Sequence, residues 1–273
     1  MARIALADDP VAARSKTLFW AFGWYLRWYF GRHFHAVRIS RAGLPQVPAG
    51  RPLIIYTNHP SWWDPALFIL LSRSLLRDRH GYGPMEQHAL DRYGLFRRFG
   101  VFGIDTESRR GAARFLDVST HVLSDPGNAL WITAEGAFTD PRLRPVQLRP
   151  GLAHLARRTP DAVLLPLAIE YTFWNERKPE ALLRFGEPIT AKRGRDVAAW
   201  TTLLEDGLTR TMDALAQDSL TRNPALFLSI LERGGGVGGI YDLWRRGRAW
   251  AAGRRFDPSH EVPSQKVQAD RGA

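Results

Sequence analysis

The chain has 273 residues, of which 45% are hydrophobic, and carries a formal net charge of +11. This length and apolar content are sufficient for one main domain with a substantial buried core. The absence of cysteine excludes disulfides, thiolate metal sites and a cysteine nucleophile. The arginine excess favours anionic partners: lipid head groups, nucleic acid or a phosphate-bearing cofactor. Residues 1–16 lack the apolar core of a signal peptide, so we expect a protein made and kept in the cytoplasm.

The first predicted element is a helix near residues 12–31, which is rich in tryptophan, tyrosine and phenylalanine. Its short apolar length and Arg27 argue against a membrane-spanning helix. Aromatic side chains of this kind favour the membrane interface, where we expect residues 1–45 to form a membrane-associating segment. Its flanking arginines would then contact anionic lipid: Arg32, Arg38 and Arg41. The alternative is a buried aromatic helix that packs on the domain.

A predicted strand at residues 52–56 and a predicted helix at 63–76 flank a loop that contains His59 and, five positions later, Asp64. Imidazole is the side chain whose unperturbed pKa lies near neutrality, so His59 is a candidate general base. A carboxylate on the far ring nitrogen would fix the tautomer and stabilise the imidazolium. The pair therefore predicts activation of a hydroxyl or an amine. The alternative is a histidine that caps the loop beside a solvated aspartate.

Four elements are predicted next: a loop from Gly81 to Pro84, a helix at 85–98, a short strand around Val101–Ile104 and a helix at 109–124. The glycines of the run from Gly100 to Asp105 permit close approach of the backbone. Arg109 and Arg110 follow at the start of a helix, where an anion is favoured. Strand-to-helix turns often have this composition, so this segment is weak evidence by itself.

The strand predicted at residues 128–133 is followed at once by an acidic residue and a glycine, Glu135 and Gly136. This places Glu135 at the carboxyl end of a buried strand, where open α/β sheets bind their ligands. The alternative is a solvated carboxylate in a turn.

The remaining elements of the main domain are a helix at 151–158, strands at 162–170 and 181–185, and an amphipathic helix at 196–216. Residues 163–169 are too apolar for an exposed strand, so we expect a central strand in which Pro166 marks an irregularity or a position that needs no donor. Strands that alternate with helices predict an α/β fold, with a mixed sheet covered by helices over residues 46–217.

Residues 218–273 are predicted to form C-terminal helices and a disordered tail. Their parts are a short apolar helix after Pro224, a glycine-rich break at 234–239, an aromatic basic segment at 240–250 and a polar tail from 258. Basic aromatic segments at both ends of the chain favour binding to a membrane surface more strongly than a single such segment would. We therefore expect interfacial helices at both ends of the chain.

Four segments in a fixed order carry a family resemblance: Asn58 to Asp64, Gly100 to Asp105, Glu135-Gly136 and Leu165-Pro166-Leu167. Over residues 50–190 the chain resembles the glycerolipid acyltransferases typified by lysophosphatidic acid acyltransferases. The resemblance implies a membrane-associated α/β enzyme that transfers a fatty acyl group from coenzyme A or acyl carrier protein to an acceptor hydroxyl.

The resemblance also implies roles for individual residues. His59 would remove the acceptor proton and Asp64 would orient the imidazole, so that the hydroxyl attacks the thioester directly without an acyl-enzyme. Ser61 would then be structural. The implied partners are a thioester donor as cosubstrate, a lipid-like acceptor and the cytoplasmic face of a membrane, which the protein would bind as a peripheral or monotopic protein. No cofactor, metal or nucleic acid is expected.

Two motifs depart from the family pattern. The second normally ends in arginine, where this chain has Thr106, and the third reads Phe-Pro-Glu-Gly-Thr-Arg, where this chain has Thr133 to Phe138. Without those arginines a phosphate monoester loses a strong contact, so we expect an acceptor such as a glycolipid, an amino-acid lipid, or a hydroxylated pigment or polyketide. The predicted substrate-binding residues are Asn58, Glu135, Gly136, Arg109, Arg110 and Arg142, with Arg144 and Arg149 nearby.

Three other functions are alternatives to acyl transfer. The first is a non-catalytic protein of the same fold that binds lipid surfaces or acyl carriers, against which the retention of His59, Asp64 and Glu135 argues. Nucleic-acid binding lacks a recognisable module. Metal catalysis is disfavoured because no second histidine stands at ligand spacing from His59.

Overall fold

The computed structural model describes residues 9–232, so the predicted glycine-rich break, second aromatic segment and tail lie outside the described residues. The helices are α1 (Pro10–Ala13), α2 (Lys16–His33), α3 (Asp64–Leu75), α4 (Gln87–Arg92), α5 (Arg109–Val122), α6 (Gly151–Arg158) and α7 (Val197–Leu220). The strands are β1 (Ala36–Ser40), β2 (Leu53–Thr57), β3 (His80–Glu86), β4 (Val101–Ile104), β5 (Asn128–Thr133), β6 (Val163–Thr172), β7 (Glu180–Phe185), β8 (Ile189–Thr190) and β9 (Phe227–Glu232). Short 3-10 helices occupy Arg41–Gly43, Gly94–Phe99 and Pro224–Leu226.

The strands of residues 9–232 form one mixed sheet in the order β4-β3-β5-β2-β6-β7-β1-β9, and β8 pairs with β6. The strands from β4 to β6 run parallel, whereas β7 is antiparallel to β6 and β9 is antiparallel to β1. The predicted α/β fold with a mixed, helix-covered sheet is confirmed. The carboxyl ends of β2, β5 and β6 lie at the same edge, as parallel pairing requires.

Hydrophobic side chains fill both faces of the sheet. On β2, Ile54 and Tyr56 pack on the face covered by α5, α6 and α7, while Leu53 and Ile55 pack on the face covered by α2 and α3. This alternation follows from the two-residue period of a strand. Because both faces are buried, β2 is apolar along its whole length and is held rigidly beneath the loop that follows it.

Strands β1, β3, β8 and β9 were not among the predicted elements. The stretch predicted as a loop from Gly81 to Pro84 lies inside β3, because its glycines allow close packing: a Cβ on Gly83 would lie 3.0 Å from the Trp131 carbonyl oxygen. The short helix predicted after Pro224 is a single 3-10 turn followed by β9. Pairing with β1 across almost two hundred residues decides this strand, and local sequence carries no signal for such pairing.

The predicted central position of the Pro166 strand is confirmed, since β6 lies between β2 and β7. Pro166 itself accepts a hydrogen bond from the Gly186 N–H at 3.0 Å. Strands β1 and β9 belong to the predicted N-terminal and C-terminal segments, so the one sheet draws strands from all three predicted segments.

Arg38 was expected to contact lipid, and the structure shows this to be wrong. Its side chain is only 3% exposed on β1, and its Nε lies 2.6 Å from Oε2 of the equally buried Glu180. A buried cation needs a buried partner, and the parallel pairing of β1 with β7 supplies one. Among residues 9–232, no helix combines the length and the apolarity needed to cross a membrane.

Candidate active site

His59 lies two residues beyond the end of β2, at the edge of the sheet where β5 and β6 also end. The Ala134 N–H donates to the Thr57 carbonyl at 2.9 Å, and the Thr139 N–H donates to the His59 carbonyl at 3.0 Å. The loop after β5 therefore fixes the loop after β2. This arrangement brings the first and third sequence motifs together at one edge.

The imidazole of His59 is paired with Asp64 as predicted from the sequence. Its Nδ1 lies 2.7 Å from Oδ2 of Asp64, and the histidine side chain is 16% exposed while the aspartate is fully buried. Among the described residues, Nε2 of His59 has no hydrogen-bond partner. This nitrogen is therefore available to an external proton donor, with the Nδ1–H tautomer fixed by the carboxylate.

Asp64 is the first residue of α3, where a negative charge is favoured by the helix dipole. Both of its carboxylate oxygens have partners: Oδ2 also accepts the Ser61 N–H at 3.3 Å, and Oδ1 accepts the Tyr171 hydroxyl at 2.7 Å. Burial raises the pKa of Tyr171 well above its ordinary value, and the Asp64 charge raises it further. The tyrosine therefore remains a proton donor that fixes the carboxylate.

Glu135 is half-buried, and its Oε2 accepts the backbone N–H of His59 at 2.7 Å. Burial raises the pKa of Glu135, while the hydrogen bond from the His59 N–H and the charges of His59 and Arg144 oppose that rise. The next residue, Gly136, has a φ of 71°, which is the left-handed conformation that glycine adopts readily. The predicted Glu-Gly turn thus positions the loop of His59 through its carboxylate.

Comparison with known proteins adds to this geometry. The acyltransferase family model matches residues 15–170, which is more than half of the chain. The chain belongs to the acyltransferase family. The crystal structure of the 1-acyl-sn-glycerophosphate (LPA) acyltransferase PlsC from Thermotoga maritima is similar to this chain, with a TM-score of 0.54 and 15% identity over 74% of this chain and 80% of that chain. No curated protein matches the sequence.

Within this acyltransferase, Asn58 has a structural role instead of the predicted substrate contact. Its side chain is fully buried, and its amide donates to the Ile169 carbonyl and accepts from the Ile169 N–H, each at 2.9 Å. Both functional ends of the amide are thereby used inside the protein. Asn58 joins the end of β2 to β6 two residues before Tyr171. It thereby fixes the start of the loop that carries His59 relative to the strand that carries Tyr171.

The three arginines predicted to bind substrate are dispersed. Arg109 and Arg110 begin α5 after β4, a strand that is three positions from β2 in the sheet. Arg142 is 88% exposed and forms a two-point ion pair with Asp140, its Nε at 2.9 Å from Oδ1 and its Nη2 at 2.6 Å from Oδ2. Within residues 9–232 none of the three forms a hydrogen bond with His59, Asp64 or Glu135.

Of the two further arginines, Arg149 is the one placed at the Glu-Gly turn. A Cβ on Gly136 would lie 2.7 Å from Cγ of Arg149, so this side chain crosses the turn directly. Arg144 donates to Asp213 at 2.6 Å, which occupies part of its guanidinium. Unlike Arg144, which pairs with Asp213, Arg149 forms no ion pair among the described residues.

Sequence reasoning missed Tyr171 and did not predict that Phe138 contacts His59. Tyr171 lies on β6 just beyond the predicted strand end, and its signal is a polar-tipped aromatic at the end of an otherwise apolar strand. Phe138 is 64% exposed, yet its ring centroid lies 4.4 Å from that of His59. The family motif has arginine at this position, where this chain instead places an apolar ring against the imidazole of His59.

Two surface cavities lie away from this site. A cavity of about 490 Å³ is lined by residues of 157–160 and 192–196, at the opposite end of the central strands from His59. A second, of about 570 Å³, is lined by residues of 32–33, 173 and 177–179. Neither is lined by His59 or Glu135, so hydrogen-bond geometry alone defines the candidate site.

Proposed function

We propose that this acyltransferase moves an acyl group from a coenzyme A or acyl carrier protein thioester to the hydroxyl of a lipid-like acceptor. The observation that carries the proposal is the 2.7 Å contact between His59 Nδ1 and the fully buried Asp64, which leaves Nε2 free at the exposed side. A base with one fixed nitrogen and one available nitrogen is suited to hydroxyl activation.

In the proposed reaction, Nε2 of His59 takes the hydroxyl proton while the oxygen attacks the thioester carbonyl. Asp64, with its donors Ser61 N–H and Tyr171 OH, stabilises the imidazolium. Collapse of the tetrahedral intermediate forms the ester and expels the thiolate, which takes the proton back from His59. No bond to the protein is required, because a thiolate is a competent leaving group.

The oxyanion of that intermediate needs hydrogen-bond donors. The Gly136 N–H is already used by the Thr133 carbonyl at 3.1 Å. The N–H groups of Ala137 and Phe138 have no acceptor among the described residues. They belong to the turn that holds the His59 loop through the N–H groups of Ala134 and Thr139 and the carboxylate of Glu135. We therefore assign the oxyanion donors to this turn.

The proposed reaction is tested by replacing the base. Purified protein is incubated with labelled acyl-coenzyme A or acyl carrier protein and a panel of hydroxylated lipids. His59→Ala should lower transfer by about 10²- to 10⁴-fold, the usual contribution of a general base, whereas the exposed His154→Ala should not change it. Equal transfer by the native chain and His59→Ala would contradict the role of His59. Absence of transfer with every donor and acceptor would favour the non-catalytic alternative.

The acceptor is proposed to lack a phosphate monoester next to the reacting hydroxyl. Phe138 stands where the family motif has arginine and presents an apolar ring beside His59. Phe138→Arg should shift the ratio of kcat/KM toward lysophosphatidic acid and away from monoacylglycerol or a glycolipid, since a guanidinium binds phosphate in a bidentate manner. If the native chain already prefers lysophosphatidic acid, and Arg149→Gln removes that preference, Arg149 holds the phosphate and the proposal about the acceptor is wrong.

The proposed lipid acceptor implies that the protein works at a membrane surface. One side of α2 is buried through Phe19, Leu26 and Phe30, which agrees with the alternative of a helix that packs on the domain. The other side exposes large apolar residues: Leu18, Trp20, Trp24, Tyr25 and Trp28. Exposed tryptophan and tyrosine on one helical face are typical of interfacial helices.

A further inference from the structure

Arg73 lies on α3 against the exposed side of α2. Its Cζ is 4.1 Å from the ring centroid of Trp20 and 5.3 Å from that of Trp24. These two rings are 58% and 62% exposed, so the guanidinium lies between aromatic surfaces that face the solvent. Cation–π contacts of this kind orient a guanidinium without using its N–H donors.

The N–H donors of Arg73 have no acceptor. Its Nε is buried without a hydrogen bond, and no carboxylate or carbonyl among residues 9–232 pairs with this side chain. Buried donors are normally satisfied, so an unpaired guanidinium points to a partner from outside the protein.

The neighbouring charges make the site more positive. Burial lowers the pKa of Arg73, and the cations Arg27 and Arg77 lower it further. Arg77 donates its Nε to the Arg73 carbonyl at 3.1 Å, and Arg27 donates to the Ile230 carbonyl at 3.2 Å, which holds both side chains close by. Three like charges in one place repel each other, and an anion between them would remove that repulsion.

The sequence of α2 is adapted to this arrangement. Gly23 lies where Arg73 crosses the helix, and a Cβ there would be 2.1 Å from Cδ and 2.5 Å from Nη1 of Arg73. Glycine in the interior of a helix is normally unfavourable compared with alanine. Here its small size creates the space through which the guanidinium reaches the two tryptophans.

From this geometry we infer that Arg73, between Trp20 and Trp24 and beside Arg27 and Arg77, binds the phosphate of an anionic phospholipid at a membrane surface. The inference rests on the proposed function, because it specifies the membrane at which the lipid-like acceptor is reached. The tryptophans would lie at the head-group boundary, and the guanidinium would meet the phosphates at that depth.

Charge complementarity selects this occupant over a segment of the chain itself. Residues 233–273 contain eight arginine or lysine residues against four aspartate or glutamate residues. A segment with a net positive charge is a poor counter-ion for three arginines. An anionic bilayer supplies both the phosphate and the apolar layer that the exposed rings require.

The test is co-sedimentation of the full chain with vesicles of phosphatidylcholine alone or of phosphatidylcholine mixed with phosphatidylglycerol. Arg73→Gln should weaken binding to the anionic vesicles by about fivefold or more, the usual effect of one basic residue at such a surface. The matched control is the exposed Arg193→Gln, at the opposite end of the central strands. It should bind as the native chain does.

A second pair of variants changes no charge. Gly23→Ala should displace the Arg73 side chain and weaken binding to the anionic vesicles, whereas Gly94→Ala, whose Cβ would meet nothing within 4 Å, should not. Thermal unfolding of each variant, followed by circular dichroism, establishes that it is folded.

Three results would overturn the inference: equal binding to both vesicle types by the native chain, equal losses in Arg73→Gln and Arg193→Gln, or native-like binding by folded Gly23→Ala. A parallel assay of acyl transfer in detergent micelles separates this inference from the proposed function. Arg73→Gln should keep the native rate there, because Arg73 makes no contact with His59 or Asp64. If no variant transfers acyl groups but vesicle binding depends on Arg73, the proposed reaction fails and the lipid site stands.

Discussion

The two ends of α3 hold charged side chains in opposite situations. At its first residue, Asp64 is fully buried and both carboxylate oxygens have partners from His59, Ser61 and Tyr171. Near its last turn, Arg73 lies between two exposed tryptophans, and its donors have no acceptor in residues 9–232. A charge whose partners are internal has a fixed geometry, which catalysis requires, whereas a charge without internal partners is available to bind a ligand.

The largest effect is expected from a substitution at the first residue of α3, where the charge of Asp64 has internal partners. Asp64→Asn replaces one of the two accepting oxygens by an NH2 donor and removes the charge that stabilises the imidazolium of His59, and so should lower kcat by roughly 10⁴-fold, as in catalytic triads. Single-turnover transfer of a labelled acyl group measures this, with the exposed Asp206→Asn as control. A fall of less than about tenfold would show that Asp64 does not orient the base.

The second prediction sharpens the contrast between paired and unpaired arginines. Arg38→Met should lower the free energy of unfolding by about 3–5 kcal/mol, because the buried carboxylate of Glu180 would lose its counter-charge. Urea denaturation measures the change, with the exposed Arg41→Met as control. Vesicle binding by the folded fraction should remain native. An unchanged free energy of unfolding would mean that the ion pair between Arg38 and Glu180 does not stabilise the fold.

The third prediction tests the residue that sequence reasoning missed. Tyr171→Phe removes the hydroxyl that donates to Asp64, and a hydrogen bond to a charged group contributes about 1.5–3 kcal/mol. We expect kcat to fall about tenfold or more with little change in KM, since the hydroxyl contacts the carboxylate and not the substrate. Tyr25→Phe on the exposed side of α2 is the control. A loss confined to KM would instead place Tyr171 in the acceptor site.

The smallest effect is a change of stability with pH. Because burial raises the pKa of Glu135, the folded protein retains this proton to higher pH than the unfolded chain does. Stability is therefore lost as the pH rises from about 4.3, the ordinary glutamate value, through the raised pKa. Glu135→Gln keeps an acceptor for the His59 N–H but removes the titration. The difference in Tm between Glu135→Gln and the native chain should grow with pH across this window; a constant difference would contradict it.

Local sequence was sufficient for the central strands and for the pairing of His59 with Asp64. The apolar runs that became β2, β5 and β6 are buried on both faces, so continuous hydrophobicity identified them without knowledge of their neighbours. His59 and Asp64 are five residues apart in one loop at the start of a helix, and so their contact depends on local chain geometry. The family resemblance then supplied the reaction expected of that pair.

Other features depend on partners that are distant in the sequence. Tyr171 reaches Asp64 across 107 residues, and β9 pairs with β1 across almost two hundred. Asn58 was assigned to the substrate because its position beside His59 is visible in sequence, whereas its bonds to Ile169 depend on the register of β2 with β6.

The sequence by itself determined the α/β class, the central strands, the pairing of His59 with Asp64 and the absence of the two motif arginines. Only the tertiary structure decided that Phe138 covers His59, that Arg38 is buried against Glu180, and that Arg73 is left unpaired between Trp20 and Trp24. The reason is physical: periodicity and short spacings record which side chains are apolar or near in the chain, whereas the partner of a charge depends on how elements pack.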